Sequence, residues 1–172
     1  AEFEGNQDIG INDYKNKRND SWRKTQYDVI QDPQDTELNQ LWVSFDGVPD
    51  TSVKLGRQRI KFDNDRYIGN VGWRQMEQTF DSVLVTNKSL PNTTIKVGYI
   101  DQVKNIISTT DEMTTPFLNI AYDFKGYGKL SAYGYWLDYD EMAKSGNSSQ
   151  TYGIRFNGGT KVTEDLKALY TV

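Results

Sequence analysis

The residues able to do chemistry are concentrated between positions 54 and 81. Lys54, Arg57, Arg59, Arg66 and Arg74 are interleaved there with Asp63, Asp65, Glu77 and Asp81. Fixed charges beside a narrow path decide which ions enter it, so this set suits the lining and constriction of a pore. The other reading is mechanical: the same charges pair with one another and hold a loop against a wall. Residue types alone leave both open. Asp63-Asn64-Asp65 offers oxygen ligands, but the Gly at the sixth position and the Glu at the twelfth of a calcium loop are missing. No metal and no cofactor is expected.

Other chemistries are excluded by what the chain lacks. It contains no Cys and no His, which removes thiolate and imidazole metal sites, cysteine nucleophiles and Ser-His-Asp triads. The carboxylates Asp138 and Asp140 sit in a polar stretch with no convergent acid/base partner, so an enzyme is not expected. Net charge is −4 and the pI is about 4.9. A nucleic-acid binder should carry a basic footprint instead. Trp42, Trp73 and Trp136 could stack on sugars, though aromatic girdles and packing account for such residues equally well.

The elements that must position these charges are strands. Two-residue alternation places them at 37–45, 52–62, 79–86, 94–103, 116–124, 130–137, 151–157 and 165–172, with a short piece, 1–5, before them. The joints run long (6–36), short (46–51), long (63–78), short (87–93), long (104–115), short (125–129), long (138–150) and short (158–164). A meander with tight turns at one end and larger loops at the other produces that rhythm. The mean hydropathy of −0.74 and the 36% hydrophobic content look soluble. No apolar run reaches the length of a membrane helix. A barrel evades that test because only alternate residues face lipid. The fold class read from this is all-β: an antiparallel up-and-down transmembrane β-barrel, of which about nine strands are present. Residues 1–172 form one partial barrel domain, expected to be incomplete at both ends.

Phase on successive strands gives an outward band of Leu41, Val43, Phe45, Val53, Leu55, Ile95, Val97, Leu118, Ile120, Tyr122, Ile154 and Phe156. Segment 130–137 carries aromatics on both faces, and its sides stay unassigned. In segment 52–62 strict alternation sends Arg57 and Arg59 into lipid, at about 2–4 kcal/mol each near the midplane. A β-bulge near Gly56 is expected to reset the phase. Ile60 and Phe62 then face out, while Lys54, Arg57, Arg59 and Lys61 face in. Arg57, Arg59, Arg66 and Arg74 are expected to project into the lumen and bias it towards anions.

The stretch from Thr36 to Tyr99 resembles a known family. GRQRI (56–60) and GNVGWRQMEQTFD (69–81) carry the resemblance most specifically, with TELNQLWVSF and SLPNTTIKVGYI around them. They look like the alginate-export-type porins of Gram-negative bacteria. The resemblance implies a bacterial outer-membrane barrel of about eighteen strands that passes small solutes, anions among them. The partners it implies are small hydrophilic solutes and outer-membrane lipid, with no nucleic acid and with oligomerisation left open. It does not carry the alginate substrate over, and the family's basic lining is matched only by position type. The alternative class is a soluble lipocalin-like or carbohydrate-binding β-barrel. A lipocalin needs an apolar interior, whereas the polar faces here hold Lys54, Lys96, Asp123, Arg155 and Lys167.

Overall fold

The computed structural model describes residues 1–10, 13–16 and 24–172. They form one antiparallel meander whose spatial order equals its chain order. The strands are β1 (Glu2–Asn6), β2 (Asp35–Val48), β3 (Thr51–Gln58), β4 (Thr79–Asn87), β5 (Thr93–Lys104), β6 (Thr110–Phe124), β7 (Gly128–Leu137), β8 (Ser149–Lys161) and β9 (Lys167–Thr171). The sheet is open, as a section of barrel wall is. Besides strands, the described residues contain one 3-10 turn, Met142–Asn147. Part of the expected long joint 6–36 lies outside the described residues.

All four tight turns fall at one end and the other joints at the opposite end, where 105–109 is as short as a tight turn. At the tight end the Lys88 amide donates to the Asp50 carbonyl at 2.8 Å, and the Asp123 amide to the Asn92 carbonyl at 2.8 Å. Asp50 and Asn92 hold positive φ, which short polar side chains tolerate. At the loop end, Ser108 of the β5–β6 turn donates to Asp35 at 2.7 Å and also to Glu37. Several boundaries differ from the alternation pattern. β6 begins at Thr110, so the joint before it shrinks to residues 105–109. β8 runs on through Gly159, and the last tight turn lies at 162–166. Longer ladders satisfy more backbone groups, and polar residues such as Thr110 and Thr160 obstruct nothing outside the apolar band.

Paired residues in an antiparallel ladder share a face, so register assigns the faces directly. Leu41, Val43 and Phe45 pair with Arg57, Leu55 and Val53. The same face continues through Val83 and Val85, then Ile95, Val97 and Tyr99, then Leu118, Ile120 and Tyr122. On β7 it takes Leu130, Ala132 and Gly134, and on β8 Tyr152, Ile154 and Phe156. All twelve residues of the expected outward band lie on this face. Much of it is open: Leu41 is 53% exposed, Val43 66% and Ile154 74%. The band does not converge on a sealed core.

Aromatics bracket the band. Tyr122, Phe124, Phe156 and Tyr170 form a chain of ring contacts, with centroids 4.7, 6.1 and 5.7 Å apart, near the tight turns. Near the loops the Trp136 indole donates to the Tyr152 hydroxyl at 2.7 Å. Pro116 to Phe124 spans roughly 27 Å along the strand at about 3.4 Å per residue. Those nine residues are at the short end of the roughly 9–11 that a tilted membrane strand uses.

The expected bulge at Gly56 is absent. The β2–β3 and β3–β4 ladders run through it without a register shift. A side chain there would place its Cβ 2.3 Å from the Leu41 carbonyl oxygen, and φ is +120°. Glycine answers a close approach there, not an inserted residue. β3 also stops at Gln58, four residues earlier than the alternation suggested. Ile60 and Phe62 therefore do not face out. They are 2% and 3% exposed, in a core with Ile68, Phe80, Ile100, Val103, Met113, Phe117 and Tyr135.

Candidate functional site

That core exists because residues 59–78 fold back over the polar face of the sheet. Phe62 lies parallel to Tyr135 at 5.6 Å between centroids and tilts against Phe117 at 5.2 Å. Tyr67 meets Tyr133 and Tyr135, both at 6.2 Å. Gly153 lets the Tyr133 ring lie flat across β8, since a Cβ there would fall 2.4 Å from its Cζ. At the tip, Asp63 Oδ2 accepts hydrogen bonds from Asn119 Nδ2 at 2.9 Å and from the Tyr135 hydroxyl at 3.1 Å. Asn119 pairs with Lys96, which pairs with Thr86, whereas the strand end Gln58 pairs with Phe80. The loop tip thus reaches roughly 20 Å down the ladder at about 3.4 Å per residue.

Ion pairs fasten the loop. Arg59 binds Glu77 and Glu2, and Asn39 Nδ2 donates to both carboxylates at 2.9 Å. Asn70 Nδ2 adds a bond to Glu77 at 2.6 Å, and the Glu77 amide donates to Glu4 at 2.9 Å. Burial pushes the Glu77 carboxyl up, but the hydrogen bonds from Arg59, Asn39 and Asn70 and the Arg59 charge prevail and hold it below the ordinary value. Arg74 pairs with Asp32 at 2.9 Å, and Lys61 with Asp65 at 3.2 Å.

The residues singled out from sequence therefore separate into groups. Lys54 shares the covered face, its ammonium 3.7 Å from the Trp42 ring centroid. Arg57 and Asp81 do not share that face. Register puts them on the side of Leu41 and Leu55, at the loop end of the band. There they form a two-pronged pair, Nε–Oδ1 2.8 Å and Nη2–Oδ2 2.6 Å, while Nη1 donates to the Leu38 carbonyl at 3.2 Å. Lipid exposure of Arg57 is avoided by pairing and by position near the strand end, not by a change of phase. Arg59, Arg74, Asp65 and Glu77 serve as loop fasteners. Arg66 is exposed and lies over Tyr67 at 5.6 Å. Asp63 and Asp65 use their carboxylates on different partners, Asn119 and Tyr135 for one and Lys61 for the other.

Beside the loop tip lies a cavity of about 270 Å³ lined by Lys61, Lys88, Lys96, Lys129, Asp63, Thr94 and Asn119, among others. Lys88, Lys96 and Lys129 make no ion pair among the described residues. The Lys96 ammonium lies 5.4 Å from the Phe62 ring centroid, at the base of the loop tip. The ammonium groups, the Thr94 hydroxyl and the Asn119 amide can attract and hydrogen-bond a small anion, while the Asp63 carboxylate opposes it. Alternation had put Lys96 on the polar face, but Lys88 and Lys129 carried no signal of their own. Only the meander's register joins β5, the β4–β5 turn, β7 and the loop.

An exposed apolar face bounded by aromatics, backed by a polar face under an infolded loop, defines the wall of a transmembrane β-barrel. The comparison with protein families agrees: the chain belongs to the alginate export family, whose model matches residues 9–169. Membership places the chain among outer-membrane transport proteins. No curated protein and no solved structure was matched.

Proposed function

We propose that the full-length protein is a passive outer-membrane channel for small hydrophilic solutes, without a catalytic step, and that its lumen favours anions. The observation that carries this is the division of one sheet into an open apolar face and a covered polar face, beside which Lys88, Lys96 and Lys129 make no ion pair among the described residues. In a lipocalin-like barrel the apolar face would line the interior, and Leu41, Val43 and Ile154 would be sealed from solvent. The tight turns correspond to periplasmic turns and the longer joints to extracellular loops. Residues 59–78 narrow the lumen from the extracellular side.

The lysine cavity supplies the bias, although the chain's net charge is negative. Screening limits a fixed charge to about 8 Å at physiological salt, so distant loop carboxylates count for little beside it. Most of the arginines first considered are engaged with carboxylates, which cancels much of their field. The test is the reversal potential of the full-length protein in planar bilayers across a potassium chloride gradient. The variant is Lys88→Gln, Lys96→Gln and Lys129→Gln together. Selectivity should shift towards potassium. An unchanged reversal potential in a folded variant would refute an anion path through this cavity.

A further inference from the structure

Among the described residues, Asp63 is the one acidic residue lining the lysine cavity. It is carried there by the loop rather than by the wall, on a residue with φ +53° that local sterics disfavour for most side chains. Two bonds brace the turn behind it: the Phe62 amide to the Ile68 carbonyl at 3.1 Å, and the Asp65 amide to the Phe62 carbonyl at 2.9 Å. Phe62 itself is locked between Tyr135 and Phe117. The wall also presents two donors, Asn119 and Tyr135, to a single oxygen, Oδ2. A carboxylate is thus delivered on a rigid arm into a site whose chemistry suits an anion.

We propose that Asp63 is a tethered counter-ion of this cavity: it competes with solute anions for the lysines and the wall donors, and so sets how strongly the channel holds them. The inference rests on the reading of the cavity as part of an anion path. Its logic is that of an intramolecular ligand, present at high effective concentration and therefore able to weaken a free one. With Asp63 in place, an anion entering the cavity meets one net positive charge fewer than the lysines alone would offer. It must also displace or share the Asn119 and Tyr135 donors. The consequence is a weak, leaky site, which suits conduction because a solute must leave as readily as it enters.

Asp63→Asn isolates the charge. The amide oxygen still accepts from Asn119 and Tyr135, and Asn is among the residues most tolerant of positive φ. Asp63→Gly suits the same backbone and removes the tethered group altogether. Asp63→Glu keeps the charge. Each full-length variant is refolded, its folding checked by heat-modifiable mobility, and its open-channel current block by acetate titrated in planar bilayers. The charge-removing variants should bind acetate about two- to thirtyfold more tightly. That range is the Coulomb effect of one charge about 8 Å away at effective dielectric constants of about 80 down to about 20. Asp63→Glu should stay near the wild type. If acetate block is unchanged in Asp63→Asn and Asp63→Gly while the triple lysine variant loses its anion preference, the cavity reading stands and the counter-ion role of Asp63 is wrong. If the lysine variant also leaves selectivity unchanged, both fall together.

Discussion

Phe62→Ala should free the infolded loop while leaving the barrel wall intact. Phe62 is 3% exposed and stands between two aromatic rings of the wall. Truncating a buried phenylalanine costs about 3–5 kcal/mol, the loss of its two ring contacts included. The strands are held by continuous ladders, so the loss falls on the local opening of residues 59–78 rather than on global unfolding. At about 1.4 kcal/mol per factor of ten, the loop's opening constant rises by about two to nearly four powers of ten. Hydrogen exchange followed by mass spectrometry on the full-length protein in nanodiscs would read this. The amides to watch are Phe62, Asp65 and Gln78, bonded to the carbonyls of Ile68, Phe62 and Asn70. Their exchange should accelerate steeply, whereas β5 and β6 peptides should keep wild-type protection. Two results would sink the argument. Equal acceleration in loop and ladder would mean the loop is not a separate cooperative unit, and no acceleration would mean the ion pairs alone hold it.

Acid should loosen the same loop. Glu77 is depressed below the ordinary 4.5 in the folded state. Its contribution is therefore complete above the unfolded-state value and lost as pH falls through the lower folded value. Loop protection measured against pH should decline below about pH 4.5, and Glu77→Gln should flatten that decline. On the other face, Ile154→Arg should destabilise the refolded barrel by about 2–4 kcal/mol in lipid, the cost of a cation near the midplane. Chemical denaturation in liposomes would measure it. A change below about 0.5 kcal/mol would place Ile154 against protein or water instead of acyl chains.

How far the sequence disclosed this arrangement depended on whether a feature is periodic. Alternation is local, and the outward band from Leu41 to Phe156 could be read because each member is set by its own neighbours two residues away. At Gly56, where the ladders run on without a register shift, alternation misleads because it carries no information about depth along the strand. Alternation places Arg57 beside Leu55 but does not say that the residue sits at the strand's loop end, where Asp81 across the ladder and the Leu38 carbonyl satisfy it. Charge was treated as forbidden on that face, when pairing near the boundary makes it tolerable. The sequence marks 63–78 as a charged loop that either narrows a pore or braces against the wall, and it leaves the anchors Ile60 and Phe62 in the strand, because the pattern of a buried loop anchor and of a strand end is the same over a few residues.

The lysine cavity was the least legible part, and for a different reason. Its lysines come from four separate stretches of chain and a fifth supplies Asn119, and nothing in the spacing of Lys61, Lys88, Lys96 and Lys129 marks them as neighbours. Register brings them together: Asn119 stands opposite Lys96, and Lys129 stands opposite Asp123 next to the β4–β5 turn. Between positions 54 and 81 the arginines are largely engaged, Arg57, Arg59 and Arg74 with carboxylates, while Lys88, Lys96 and Lys129 make no ion pair among the described residues. In a pore wall the charges that act on a solute are the ones the protein has not already neutralised. Planar, multi-donor guanidinium groups are the first to be consumed by structural carboxylates, as Arg57, Arg59 and Arg74 are here. Solvated ammonium groups facing a polar cavity are left to the lumen. The proposed anion bias is therefore tested at Lys88, Lys96 and Lys129, which make no ion pair among the described residues, and not at the engaged Arg57, Arg59 and Arg74.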